Sequence, residues 1–292
     1  MPARRSDTPE RAWRWLVPRW LKAWLLIAAL TGIALLVAQL TNNSTVVPTA
    51  VFLGALSGPF AFAIWVTDRT RVGRSVAPDV LFTTWLVGGG VAIVFAGIFE
   101  SDFFYDPTGG GFLWIGVVEE SAKVMVPLAI CTVVPKYRSV PQALAFAIVA
   151  AGGFAVLESM TYALSALDES VRAARHVLFE RSLITPFGHL PWTGIAVVVA
   201  ATEWQAAGRI RLTPKALWGL GAAIALHTMW NIALVGGGWW NLLVPVIAVA
   251  TFVLFRRILA DVYYDGPYVL PAEQDASRRR PRPKPRQTPP PP

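Results

Sequence analysis

Eight runs of about 20 apolar residues recur along the chain, the length that crosses a bilayer as one helix. They fall at roughly 23–40, 46–66, 80–98, 112–134, 141–163, 183–204, 216–234 and 239–255. Runs of this kind predict an all-α polytopic membrane protein with about eight transmembrane helices. Composition agrees: 54% of the 292 residues are hydrophobic and 15% are charged, against roughly 25% charged in a soluble chain. That leaves too little polar surface for a water-soluble enzyme, and too much apolar content for a disordered chain. The first run is not read as a signal peptide, because a basic stretch precedes it and no small-residue cleavage site follows. Cys131 is the only cysteine, which excludes an intrachain disulfide framework and a cysteine-rich metal site.

The basic residues assign a topology. Of the 26 lysines and arginines, 22 lie in the N-terminal tail, in the loops after the second, fourth and sixth runs, and after the eighth. The opposite side has only Arg172, Arg175 and Arg181. The positive-inside rule then puts both termini in the cytoplasm. The net charge of +8 is mostly this topology signal, with anionic lipid as its neighbour and no nucleic-acid partner. Three parts follow: a basic cytoplasmic tail over 1–22, a transmembrane domain over 23–260, and a Pro/Arg-rich tail over 265–292. The last is expected to be disordered, since proline and like charges build no core. The outer loop from about Ser165 to Arg181 places Leu167, Val171, Ala174 and Leu178 at helical spacing, and is expected to lie on the outer surface as an amphipathic helix.

Ionisable groups within spans cost about 2.5–3.5 kcal/mol each and usually mark function. Here they occupy four consecutive runs: Glu119, Glu120 and Lys123 in the fourth, Glu158 in the fifth, His189 in the sixth, and His227 with Asn231 in the seventh. Counted from the ends of their runs, Glu119, Glu158, His189 and His227 all lie about 7–11 Å below the outer surface at 1.5 Å per residue. Sharing one layer is what residues meeting at a common centre would do. At about 100° per residue Lys123 falls between Glu119 and Glu120 on the helix, so it can neutralise one of them. His227 and Asn231 are four apart and share a face. Gly152 and Gly153 allow close approach of a neighbouring helix. Buried ion pairs gluing helices together would be the bland explanation, but three carboxylates against one lysine in a single layer are not easily so explained. His176, in the outer loop, is read as an ordinary exposed histidine.

The pattern resembles the PrsW family of intramembrane proteases. Residues 119–123, EESAK, resemble its EExxK motif, and 154–158, FAVLE, its FxxxE element. His189 and the HTMWN of 227–231 resemble its two later histidine elements. The likeness covers roughly 80–235, in the family's order, and leaves the first two runs and both tails outside. The related CAAX-processing and bacteriocin-processing endopeptidases carry Arg one residue further on in the first motif and His in place of Glu in the second. The resemblance implies a multi-pass peptidase of the cell membrane that cuts a membrane-tethered protein near the outer face, as in regulated proteolysis of an anti-sigma factor. It implies Glu119 as the residue that activates water, with Lys123 keeping a glutamate ionised. His189 or His227 would orient the water or protonate the leaving amine, and Asn231 would donate to the oxyanion. A metalloprotease mechanism competes, with Glu119, Glu158, His189 and His227 as a Zn²⁺ set. The metal-free glutamate mechanism is slightly favoured, because the charge of Lys123 opposes a dication nearby. A proton- or cation-coupled transporter is the alternative from another class, since intramembrane carboxylates and histidines also build ion sites.

Overall fold

The computed structural model describes residues 17–100 and 109–263. The basic stretch before residue 17, residues 101–108 and the Pro/Arg-rich stretch after residue 263 lie outside the described residues, as does the expectation of disorder over 265–292. Among the described residues the chain is α-helical, with short 3₁₀ turns and no strand. The helices are α1 (Arg19–Thr41), α2 (Val47–Thr70), α3 (Pro78–Glu100), α4 (Gly109–Val133), α5 (Val140–Leu167), α6 (Val171–Ile184), α7 (His189–Ala207), α8 (Pro214–Val235) and α9 (Leu243–Asp261). Seven helical stretches are long and apolar enough to cross a membrane, with α6 and α7 together making one of them. Helix α4 has a spanning length of 25 residues and is set apart from those seven by Glu119, Glu120 and Lys123. The protein is therefore an all-α polytopic membrane protein.

Helix α5 is the axis of the bundle. It packs against α2, α3, α4, α6 and α7, and its residues from Pro141 to Val156 are all buried. A helix buried on every side must let several backbones approach, and alanine and glycine make up much of this one. Gly153 matters most, because a Cβ there would run into the Trp85 carbonyl oxygen of α3. Gly152 meets only ordinary contacts, so of the expected pair one glycine makes the close approach. Helix α5 starts after Ser139, whose N–H donates to Gln142 Oε1 (3.2 Å), with Pro141 in the first turn where its missing N–H costs nothing. Helix α1 is the opposite case: only Ile27 and Thr31 are buried, and its leucines face outward, as suits a helix turned to lipid.

Two expectations are corrected. The sixth run, 183–204, is not one helix. A 3₁₀ turn, Thr185–Phe187, and Gly188 interrupt it, and a new helix begins at His189. The segment before it does not lie flat on an outer surface either. Helix α6 runs back along α5 and packs between it and α2, burying Ala174 and Leu178. Gly54 and Gly58 of α2 make room for it: a Cβ on Gly54 would stand 2.9 Å from Leu178 Cδ1, and one on Gly58 would strike the backbone of Ser182. Leu167 belongs to α5, and Val171 is exposed at the start of α6.

Candidate functional site

Helix α4 places Glu119, Glu120 and Lys123 on the face toward α5, α7 and α8. Gly116, one turn earlier, brings α8 close, since a Cβ there would be 2.8 Å from Thr228 Oγ1. Lys123 Nζ donates to Glu119 Oε2 (2.7 Å) and to Glu120 Oε1 (2.9 Å), and lies 2.8 Å from His189 Nδ1. An ammonium has three protons, and here each has an acceptor. The Phe154 ring, its centroid 4.1 Å from Nζ, covers the remaining side. Lys123 and Glu120 have no exposed side-chain surface, so their charges survive burial only because each is paired and hydrogen-bonded.

Glu120 is committed at both oxygens. Thr193 Oγ1 donates to Oε2 (3.0 Å), and His227 Nδ1 lies 3.0 Å from Oε1. A carboxylate can only accept, so Nδ1 of His227 carries the proton and Nε2 presents its lone pair. That lone pair faces Glu119, whose Oε2 is 3.8 Å away. The buried Trp192 ring stacks on His227 at 5.2 Å and meets His189 edge-on at 5.5 Å. Its indole N–H is anchored on Thr251 Oγ1 (3.1 Å).

The break before α7 decides where His189 goes. As the first residue of α7, it is carried in by the Thr185–Phe187 turn rather than by a helical face. Since Nδ1 accepts from Lys123, Nε2 carries the proton, and it donates to Glu158 Oε2 (3.0 Å). Glu158 is held from the other side by Arg181 of α6, whose Nη2 donates to the same oxygen. Arg181 Nε donates to Ser159 Oγ (2.8 Å), and its guanidinium lies 4.6 Å from the Tyr162 ring centroid. His189 and Glu158 keep 15% and 14% of their side-chain surface, so the cluster opens on their side and is sealed behind Glu120.

Six of the seven residues singled out from the sequence thus meet in one cluster. Glu119 lies ten residues from the start of α4, Glu158 nine from the end of α5, and His227 eight from the end of α8. At 1.5 Å per residue they sit about 12–15 Å from the same end of the bundle. Asn231 is one turn beyond His227 on α8, and no hydrogen bond joins it to the cluster among the described residues.

Glu119, His189 and His227 each offer a ligand atom, all within 4.8 Å of one another. One carboxylate and two imidazoles form a donor set that catalytic zinc uses, with a position left open. Each histidine has its far nitrogen on a carboxylate, Glu158 for His189 and Glu120 for His227, the outer shell typical of metal-ligating histidines. The donor set therefore fits a divalent metal. Glu158, the fourth ligand expected from the sequence, is not among these three, and its Oε2 is engaged by His189 and Arg181. The Lys123 ammonium contacts two of the three donors, and a metal would compete with it for Glu119 and His189.

Arg181, Thr193 and Trp192 were missed in the sequence. In the sequence Arg181 is one of three outer-side charges, and nothing in its neighbourhood announces a pairing twenty-three residues back. The Pro186 and Gly188 punctuation was a usable signal for the helix break, masked by the apolar run around it. Glu100, at the end of α3, is a further buried carboxylate within electrostatic reach of Glu119 and Lys123. In the sequence it falls just past the end of the third apolar run.

A family model described as PrsW family intramembrane metalloprotease matches residues 77–257. Comparison with curated proteins and with solved structures finds no match. The matched segment begins just before α3 and ends within α9, so it contains every member of the cluster and leaves α1 and α2 outside.

Proposed function

The chain belongs to the PrsW family of intramembrane metalloproteases, and from that premise we propose how its cluster hydrolyses a peptide bond. It is a membrane peptidase whose substrate is a protein in the membrane. The finer reading is that it cuts a membrane-tethered protein near the outer face of the cell membrane, with both termini cytoplasmic, as an initiating step of regulated proteolysis such as that of an anti-sigma factor. The observation that carries the chemistry is the unequal commitment of the two neighbouring glutamates. Among the described residues Glu120 has three partners on its two oxygens, whereas Glu119 has Lys123 on Oε2 and no hydrogen bond on Oε1.

Glu119 Oε1 takes a proton from the attacking water. General-base catalysis of this kind contributes about 10²–10⁴-fold. Lys123 pairs with Glu119 and Glu120 and adds positive charge beside the developing oxyanion. His227 Nε2, unprotonated and facing Glu119, receives that proton and passes it to the leaving amine. His189, fixed on Nε2 by Glu158, accepts from Lys123 at Nδ1 and so holds the ammonium beside Glu119 on the open side. Asn231, whose amide makes no hydrogen bond to the cluster among the described residues, donates to the oxyanion. In the metal-dependent alternative, Glu119, His189 and His227 would instead hold a divalent metal such as Zn²⁺, which when bound would supply Lewis-acid polarisation of the scissile carbonyl and a more acidic water.

The test compares cells expressing the wild type or Glu119→Gln for truncated single-span membrane proteins. The expected outcome is cleaved products that vanish in the variant while the protein still inserts. Products that persist would move the base elsewhere, with Glu158 next in line. No products in either strain, together with a collapsed cation gradient in the wild type alone, would favour the transporter alternative. Metal content of the purified protein, with activity before and after chelation, separates the metal-dependent mechanism from the metal-free one.

A further inference from the structure

A groove of about 890 Å³ lies between α1, α2 and α6, on the side of α6 away from Glu158. One end is closed by the hydrogen bond from Trp24 Nε1 to Ser182 Oγ (2.9 Å). The opposite end is lined by Arg172, Arg175 and His176, with Glu169 beside them. Between the ends the walls are apolar or small, among them Ala28, Gly32, Leu35, Gly54 and Leu178. The lining on α1 extends from Trp24 to Leu35, about 16 Å along a helix axis.

The charges at the open end are unbalanced. His176 pairs with Glu180 (3.3 Å), but Arg172 and Arg175 are exposed and make no ion pair among the described residues. They are two of the three basic residues on their side of the chain, and the third, Arg181, is spent on Glu158. A free anion would satisfy the arginines and leave the apolar trough empty. A transmembrane helix would fill the trough and leave the arginines unpaired. An amphiphile with an anionic head and a hydrocarbon tail satisfies both. Helix α1 supplies the access, because its other face, including Leu26, Ile33 and Leu40, is exposed and in a bilayer meets lipid directly. We propose that this groove binds an anionic glycerophospholipid of the surrounding bilayer, with the phosphate on Arg172 and Arg175 and one acyl chain running toward the Trp24–Ser182 contact.

The test uses the full-length protein, purified and reconstituted in phosphatidylcholine bilayers containing phosphatidylglycerol, with retained lipid measured by native mass spectrometry. The wild type should keep phosphatidylglycerol in preference to phosphatidylcholine. Arg172→Gln/Arg175→Gln should lower that preference roughly 30-fold, from the usual contribution of two arginines beside anionic lipid. Gly32→Leu places a side chain in open space, so it should displace both lipids while the melting temperature stays at the wild-type value. Equal retention of the two lipids by the wild type would overturn the proposal. So would an unchanged preference in the double-arginine variant, displacement of phosphatidylglycerol by inorganic phosphate alone, or a co-purifying transmembrane peptide that Gly32→Leu expels in place of lipid.

Discussion

His227 and His189 each lean on a carboxylate, but one pair is sealed and the other is open. His227 and Glu120 come from the interiors of two continuous helices, and neither has more than 2% of its side chain exposed. Their positions are fixed by helical periodicity and by the close approach of α4 and α8 at Gly116. His189 and Glu158 meet across a helix break, are partly exposed, and need Arg181 from a third element to hold them. In the proposed mechanism the sealed pair keeps charge organised without water, while the open pair stands where substrate and water would arrive. Lys123 joins the two, donating to Glu119 and Glu120 and to His189 Nδ1.

Removing the shared element should have the largest effect. Lys123→Met leaves Glu119 and Glu120 adjacent, buried and without a cation. Breaking a buried pair on one side costs about 3–5 kcal/mol, so the purified variant should melt well below the wild type and cleave nothing. A variant that melts with the wild type would show the carboxylates to be paired elsewhere, and the two halves to be independent.

The next effect separates the halves. Glu120→Gln and Glu158→Gln each remove the carboxylate behind one histidine, a change that typically costs 10–100-fold. Glu120→Gln should fall at the high end, because the site behind it is closed and no water can replace the lost charge. Glu158→Gln should fall at the low end, since its pair is already partly hydrated. Turnover on a model transmembrane peptide checks the order, and a greater loss in Glu158→Gln would reverse the comparison.

The same contrast explains what could be read from sequence. Glu119, Glu120, Lys123 and His227 were legible because apolar runs of helical length fix depth, and spacing within a helix fixes direction. The all-α membrane class followed from the same runs. His189 was identified by residue type, but its placement was not legible. An apolar run of spanning length reads as one helix, and the turn at Thr185–Phe187 breaks it without breaking the hydropathy. Helix α6 looks like a surface helix in the sequence for a related reason. Its amphipathicity shows that one face is covered, not by what, and Gly54 and Gly58 of a distant helix supply the cover. Arg181, seen only as a charge that helped count topology, could not be assigned a partner without that packing.

Arg181 itself should have an intermediate effect. Its side chain is 22% exposed, so its loss should leave folding nearly intact while Glu158 and His189 lose their fixed geometry. Arg181→Gln should lower turnover roughly 10-fold, the low end for an outer-shell partner. Arg181→Lys should recover only part of that, because a single ammonium cannot hold Glu158 and Ser159 at once as the guanidinium fork does. Full rescue by lysine would reduce the role of Arg181 to charge alone.

Ser159 tests whether that second anchor matters. Its hydroxyl accepts from Arg181 Nε (2.8 Å) and is buried, and alanine fits the same space without a new contact. One hydrogen bond contributes about 0.5–1.5 kcal/mol, equivalent to roughly a 2- to 10-fold change, and only part of it should reach the reaction. Ser159→Ala should therefore lower turnover a few-fold and leave the melting temperature close to that of the wild type. The decisive comparison is the double variant. If Ser159 acts only by holding Arg181, adding Ser159→Ala to Arg181→Gln should cost nothing further, since residues sharing one network are not additive. Additive losses would mean that Ser159 supports α5 by itself, and the open pair would then rest on Arg181 alone.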